Sequence, residues 1–406
     1  MSQIRTTTPA DAGVRRFRAA RNGVAVTFGL NGLAMGTWFA RIPAARDALG
    51  ISPGTLGLVL LAISAGAVLS MATAGTVVHR FGPARVAVGA TLLVSLGLAL
   101  TGLGVGAWAS VPMVTVGLFA LGYGSGSCDV AMNVEGAAVE RKLDRTVMPR
   151  FHAAWSLGTV AGGGFGAASA HLGVPIAVQL GVTAAVVLAG TAAGARFFLP
   201  TGTGDGPAAG EAGRGSGVLA AWREPRVLMV GLFVLVMAFT EGTANDWVGV
   251  AFVDGHGFDE AAGAAVFGLF VAAMMAGRMV GTMALDRWSR VPVLTATVGL
   301  AMVGVLAAVF GTGPVALVGV ALWGLGTSLG FPVGMSAAAD DEDHAAARVS
   351  VVAMIGYTAF LGGPPLVGLL GDRFGTLRAL IVVPLLLLAA LVLIPATRKP
   401  RPAEKA

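Results

Sequence analysis

Asp129 and Asn133 lie four residues apart inside a long apolar run, so a helix would set both on one side. His152 opens the next apolar run at a comparable depth. A carboxylate near an imidazole can take up and release a proton. The same groups also fit a structural role, with Asp129 paired to His152 or to Arg150. A second carboxylate, Glu241, stands about 21 Å into a helix that begins near residue 227, at about 1.5 Å per residue. It is the deepest acid of the second half of the chain, and Asn31 has a similar depth in the first apolar run. Ionisable groups at such depth are costly and are therefore functional candidates. Glu241 leads them for binding a solute or a proton, and Arg278, deep in the following run, is the cation that could neutralise it instead. Asp246 and Trp247 lie nearer the end of the same run. There Asp246 is expected to shape the outer mouth and Trp247 to anchor at the membrane interface.

These groups sit in a chain of 406 residues that is 55% hydrophobic and 12% charged, with a mean hydropathy of +0.80. A soluble domain carries roughly 25% charged residues. One core cannot hide so much apolar surface, so the surplus must face lipid. Twelve runs are long enough to cross a bilayer as helices: residues 22–40, 54–78, 84–105, 111–134, 150–170, 174–195, 227–252, 262–284, 291–311, 314–336, 348–369 and 376–396. The first is expected to be a retained span, because it exceeds the roughly 7–15 apolar residues of a cleaved signal. The formal charge of +6 is spread between the runs and forms no basic stripe, which argues against a nucleic-acid partner. With the N-terminus in the cytoplasm, 22 of the 27 Lys and Arg fall on the cytoplasmic side and four on the outer side. That bias predicts a multi-pass inner-membrane protein with both termini cytoplasmic.

Residues 200–217, PTGTGDGPAAGEAGRGSG, read as a flexible cytoplasmic linker. The linker separates an N-terminal six-helix bundle, residues 1–199, from a C-terminal one, residues 218–406. The halves look related. Trp38 and Trp247 follow the polar stretches of spans one and seven, and Gly122 and Gly124 of span four match Gly324 and Gly326 of span ten. The segment after span two, GTVVHRFGPAR, matches GTMALDRWSR after span eight. Two such repeats place a solute path between the halves, near mid-membrane.

The segment after span two resembles the signature of the major facilitator superfamily, with Gly75, Arg80, Gly82 and Arg85 at signature positions and Asp286 and Arg287 in the second copy. GTWFARIPAARDALG (36–50), CDVAMNVEGAAVE (128–140), FHAAWSLG (151–158) and TEGTANDW (240–247) are similar to a bacterial branch with MosC-like and fucose-permease-like members. The resemblance implies an all-α membrane protein of twelve transmembrane helices in two pseudo-symmetric six-helix bundles. It implies a secondary active transporter that moves a small polar solute by alternating access, with protons as the candidate coupling ion, and it gives the six signature residues a gating role. In the family, the signature carboxylate pairs with Arg and with a neighbouring helix N-terminus and locks the outward-open form. Here His79 replaces it. A neutral imidazole serves a helix N-terminus poorly.

Gly158, Gly162 and Gly166 repeat every four residues, as in close helix packing. They partly match the Gly-Pro motif of drug–proton antiporters, but Gly163 stands where its proline would be. Gly362-Gly363-Pro364-Pro365 is expected to kink or break its helix. The alternating glycines 122–126 follow no strand, and no GK[ST] loop is present, so neither a dinucleotide nor ATP is implied. The acidic run Asp340 to Asp343 with His344 reads as a solvated loop. Cys128 is the only cysteine, and no cofactor or metal is expected. An integral enzyme would cluster His, Asp or Arg at one membrane face, which this chain does not. A sensor would carry a soluble output domain, for which segments of about twenty residues leave no room. The remaining alternatives are a drug or metabolite efflux antiporter and an uncoupled facilitator. The expected partners are the solute, protons and the bilayer, and the expected state is a monomer.

Overall fold

Among the residues described by the computed structural model, 9–143, 147–200, 215–341 and 344–399, all regular structure is helical. The helices are α1 Pro9–Phe39, α2 Ile42–Leu49, α3 Pro53–Phe81, α4 Pro83–Gly106, α5 Val111–Leu143, α6 Met148–His171, α7 Ile176–Ala195 and α8 Gly215–Ala221. They continue with α9 Pro225–His256, α10 Glu260–Arg287, α11 Arg290–Phe310, α12 Pro314–Thr327, α13 Gly330–Ala338, α14 Ala345–Phe374, α15 Thr376–Ala379 and α16 Val382–Leu393. Prolines stand in the first turns of α2, α4, α9 and α12, where a missing N–H costs nothing. Gly50 and Gly257 close α2 and α9 in the left-handed region, which only glycine enters freely.

Ten segments are long and apolar enough to cross a membrane: α3, α4, α5, α7, α9, α10, α11, α12 with α13, most of α14, and the segment from α15 to Thr397. They coincide with ten of the twelve expected runs. The other two runs match α1 and α6, which have 31 and 24 residues but are less apolar. The reason lies in their packing. A methyl on Gly32 or Gly36 of α1 would fall on the carbonyls of Trp155 or Thr159, and one on Gly158 or Gly162 of α6 on those of Gly29 or Leu33. The two backbones touch, so small residues replace lipid-facing ones. Gly158→Val should therefore lower the melting temperature of the purified protein sharply, since overpacking costs typically about 1–3 kcal/mol. An unchanged melting curve would contradict this contact.

The helices outrun the hydropathy pattern: α1 begins at Pro9 and α5 continues to Leu143. Of the kink or break expected in span eleven, the break is absent. α14 is helical through Pro364 and Pro365, and the turn that does break lies in span ten, at Ser328 and Leu329. Most of the expected linker, 201–214, lies outside the described residues.

The described chain divides into two compact units. Unit 1 holds residues 9–38, 62–162 and 175–200; unit 2 holds 39–61, 163–174 and the rest from 215 onward. The units thus follow the chain halves except that two segments of the first half, 39–61 and 163–174, belong to unit 2. In unit 1, Phe28 stacks on Phe151 at 5.7 Å within a core that includes Val24, Ala131, Met132 and Val139. In unit 2, α9 is enclosed by α10, α13, α14 and α16, and Phe270 meets Trp323 edge-on at 5.5 Å. Trp247 is fully buried in this unit, so it is a core residue and not an interfacial anchor. The packing of α10, α13, α14 and α16 around α9 is the physical reason. The repeated glycines do the same work in each unit. Gly122 packs on Ile63 of α3 and Gly124 on α4; Gly324 packs on Phe270 of α10 and Gly326 on Ala301 of α11.

Candidate functional site

In unit 1 the polar groups gather along one face of α5. Ser125, Asp129 and Asn133 recur every four residues, about one helical turn. Ser125 Oγ donates to Asn31 Oδ1 of α1 at 3.0 Å, and Asn31 is buried. Asn133 Nδ2 donates to the Asp129 carbonyl at 2.8 Å and to its carboxylate Oδ1 at 3.1 Å. The spacing anticipated only that the two residues share one side of the helix. His152 is exposed on α6, with its ring edge-on to Phe28 at 5.2 Å. Phe28 and Asn31 are three residues apart, so α1 offers one to His152 and the other to Ser125. The face therefore carries neutral donors and acceptors around a single carboxylate.

In unit 2 the central feature is an ion pair. Arg278 Nη2 of α10 lies 3.2 and 3.4 Å from the two carboxylate oxygens of Glu241 on α9. Arg278 Nε also points to the Ser328 carbonyl, 3.5 Å away, at the broken turn between α12 and α13. A helix that stops mid-span leaves carbonyls without intrahelical donors, and these attract a cation. Gly277 permits the approach, since a side chain there would strike Ser328. Asp246 lies five residues beyond Glu241, on a different face of α9, and is half-buried. No described group bonds its carboxylate.

The signature residues lie at helix ends. Gly75, Arg80 and Arg85 are exposed around the turn from α3 to α4, where Gly82 has φ 81°. Asp286 and Arg287 are exposed at the end of α10. The two arginines share one more trait: Arg80 stacks over Phe81 at 5.4 Å and Arg287 over Trp288 at 5.6 Å. Such stacking keeps a guanidinium on an apolar surface while leaving its N–H groups open.

With this geometry in place, the profile of the Major Facilitator Superfamily matches residues 24–359. The chain belongs to the Major Facilitator Superfamily. It is 32% identical over 366 residues to the uncharacterized transporter y4wD of Sinorhizobium fredii, covering 88% of this chain and 93% of that one. It is 29% identical over 363 residues to the membrane protein MosC of Rhizobium meliloti, covering 89% and 86%. Among solved structures, the E. coli transporter FucP in its outward conformation has the same fold, with a TM-score of 0.64 at 16% identity over 95% of this chain and all of that one. The expected MosC-like resemblance thus has a relative in sequence, and the fucose permease FucP shares the fold.

Three acids of this facilitator have roles that the sequence reading did not give them. Glu135 of α5 is buried and accepts from the Leu199 N–H at 2.6 Å. Glu140 accepts from the N–H groups of Val147 and Met148 at 2.6 and 2.8 Å, at the start of α6. Both hold segments beside helix ends in unit 1, Glu135 after α7 and Glu140 at the start of α6. The third corrects the reading of the acidic run as a solvated loop. The Asp340 side chain is only 3% exposed and is clamped by Arg226 and Arg290, each at 2.8 Å. Its neighbour Asp341 does behave as a surface group. The His344 ring, at 3.1 Å, is the main cause that holds its carboxyl below the usual range, with Arg348 adding to it. A signal for Asp340 was present in Arg226 and Arg290, which stand at the starts of spans seven and nine, on the same side as the end of span ten.

Proposed function

We propose that this facilitator is a secondary active transporter that carries a small polar solute by alternating access between two six-helix halves, 1–199 and 218–406, joined by 200–217. Both termini lie in the cytoplasm on this reading, because the Lys and Arg bias favours that side. The observation that carries the proposal is the polar face of α5 with Asn31, set inside a largely apolar bundle. Amides and a hydroxyl there suit hydroxyl groups of a neutral solute. FucP is a fucose:proton symporter, which supports both a polar solute and proton coupling. Asp129 is the proposed proton carrier. Its carboxylate has a neutral partner in Asn133, whereas that of Glu241 is bound by Arg278. Asp246, unbonded in unit 2, is the second candidate.

The test begins with a thermal-shift screen of sugars, polyols, organic acids and drugs to find a solute. In proteoliposomes with an imposed proton gradient, wild type should accumulate that solute. Asp129→Asn should reduce accumulation to equilibration while exchange persists. Accumulation at the wild-type level by Asp129→Asn would remove Asp129 from coupling. Wild type that only equilibrates would favour the uncoupled facilitator.

A further inference from the structure

We propose that Asp372 and Asp254 are two catches of an outer latch, which hold α2 and the start of α3 against α14 and α9. The word "outer" rests on the orientation proposed above; the contacts do not, since all lie within unit 2.

The first catch is a carboxylate on a helix N-terminus. Asp372, near the end of α14, accepts from the Gly54 N–H at 2.9 Å and from Ser52 Oγ at 3.3 Å. Gly54 lies in the first turn of α3, whose free N–H groups and dipole favour an anion. The helices meet backbone to backbone beside it. A methyl on Gly57 would fall on the Pro364 carbonyl, one on Gly368 on the Pro53 carbonyl, and one on Gly54 on the Asp372 carboxylate itself.

The second catch is a two-pronged ion pair. Arg46 of α2 holds both carboxylate oxygens of Asp254, near the end of α9, with Nη2 to Oδ1 at 2.6 Å and Nη1 on Oδ2. Thr376 Oγ1 also donates to Asp254, at 2.6 Å. Thr376 follows the turn that Asp372 precedes, so a single turn of chain joins the two catches.

That turn is built twice in the molecule. Asp372-Arg373-Phe374-Gly375 repeats His79-Arg80-Phe81-Gly82, and Arg378 repeats Arg85. Gly375 has φ 85° and ψ 144°, and Gly82 has φ 81° and ψ 154°. The Gly375 N–H donates to the Gly371 carbonyl at 2.9 Å, as that of Gly82 does to Val78 at 2.8 Å. The next helix starts alike, with Ala379 on Gly375 at 3.0 Å and Val86 on Gly82 at 3.2 Å. The copy with a carboxylate grips a helix N-terminus; the copy with His79 leaves its imidazole exposed. The charged catch thus exists at one end, and it biases the resting population toward closure at the α2 end.

Pulsed dipolar spectroscopy tests this on the full chain in nanodiscs. Nitroxides go on Ala48→Cys and Thr312→Cys, both exposed positions, with the buried native cysteine removed as Cys128→Ala. Asp372→Asn should raise the long-distance population about threefold, and Asp372→Asn with Asp254→Asn about tenfold or more. Gly54→Ala, which displaces the carboxylate without removing it, should act like Asp372→Asn and serves if that variant does not fold. Wild-type distance distributions in folded variants would overturn the latch. The distances do not depend on transport, so a wild type that fails to accumulate solute while the variants still show these shifts would count only against the transport proposal. Labelling of Ala48→Cys in intact cells by an impermeant thiol reagent should succeed; failure would place the latch on the cytoplasmic side and overturn its outer assignment.

Discussion

Asp340→Ala is expected to destabilise the protein more than any other single change on its surface-connected loops. The substitution leaves Arg226 and Arg290 facing each other without their shared carboxylate. Removing one partner of a buried ion pair costs about 3–5 kcal/mol, because the remaining charge is left uncompensated. The two arginines keep some backbone partners. Arg226 also donates to the Ala396 and Arg398 carbonyls at 3.1 Å, and Arg290 to that of Thr397 at 3.4 Å. Their own side chains are 30% and 22% exposed, so water screens part of the repulsion. The expected cost therefore falls near the lower end, about 3 kcal/mol. It should appear as a large drop in melting temperature in detergent and in the monodisperse yield. Asp341→Asn, one residue on and half-exposed, should lower both far less, because its pairs with His344 and Arg348 are screened by solvent. Equal effects from the two substitutions would show that Asp340 is not a clamp.

Asp340 also shows where sequence reading stops. The run Asp340 to Asp343 looks solvated because four neighbouring acids repel one another, and only contacts to helix starts 114 and 50 residues away set the first apart. The spans themselves were legible, because each must be apolar along its length whatever it packs against. Even there, α1 and α6 fell short in apolarity, since glycines that seat one backbone on the other count as neutral in any hydropathy sum. Asn133 and Asp129 were legible as a pair, because one helix supplies both. Trp247 was misjudged because depth along a helix says nothing about which side neighbours cover. The second copy of the Arg-Phe-Gly turn was readable in the sequence, but its meaning was not. Only the fold brings Asp372 to the start of a helix more than 300 residues earlier in the chain.

Arg278→Met is expected to abolish transport and to lower stability, while Arg278→Met combined with Glu241→Gln should recover much of the stability. The single substitution strands a carboxylate whose side chain is only 16% exposed and whose described partner is Arg278. Losing one member of such a pair costs several kcal/mol, about 3 by the low end of buried pairs, whereas losing both at similar volume is often close to neutral. Arg278 carries a further burden, because it also faces the Ser328 carbonyl at the break in span ten. Methionine cannot donate there, so the double variant should remain somewhat below wild type. Transport then separates two roles that stability cannot. A pair that only holds α9 to α10 predicts that the double variant, once stable, accumulates solute at a rate within about threefold of wild type, the context spread of a lost neutral contact. A pair that opens to bind solute or proton during the cycle predicts a stable double variant with accumulation reduced at least about a hundredfold, which is near 2.7 kcal/mol of lost transition-state interaction. The carboxylate's position at mid-helix, and its grip on a cation that also serves a broken helix, favour the second outcome. A double variant that transports normally would confine Glu241 to structure and leave Asp129 and Asp246 as the groups able to carry a proton.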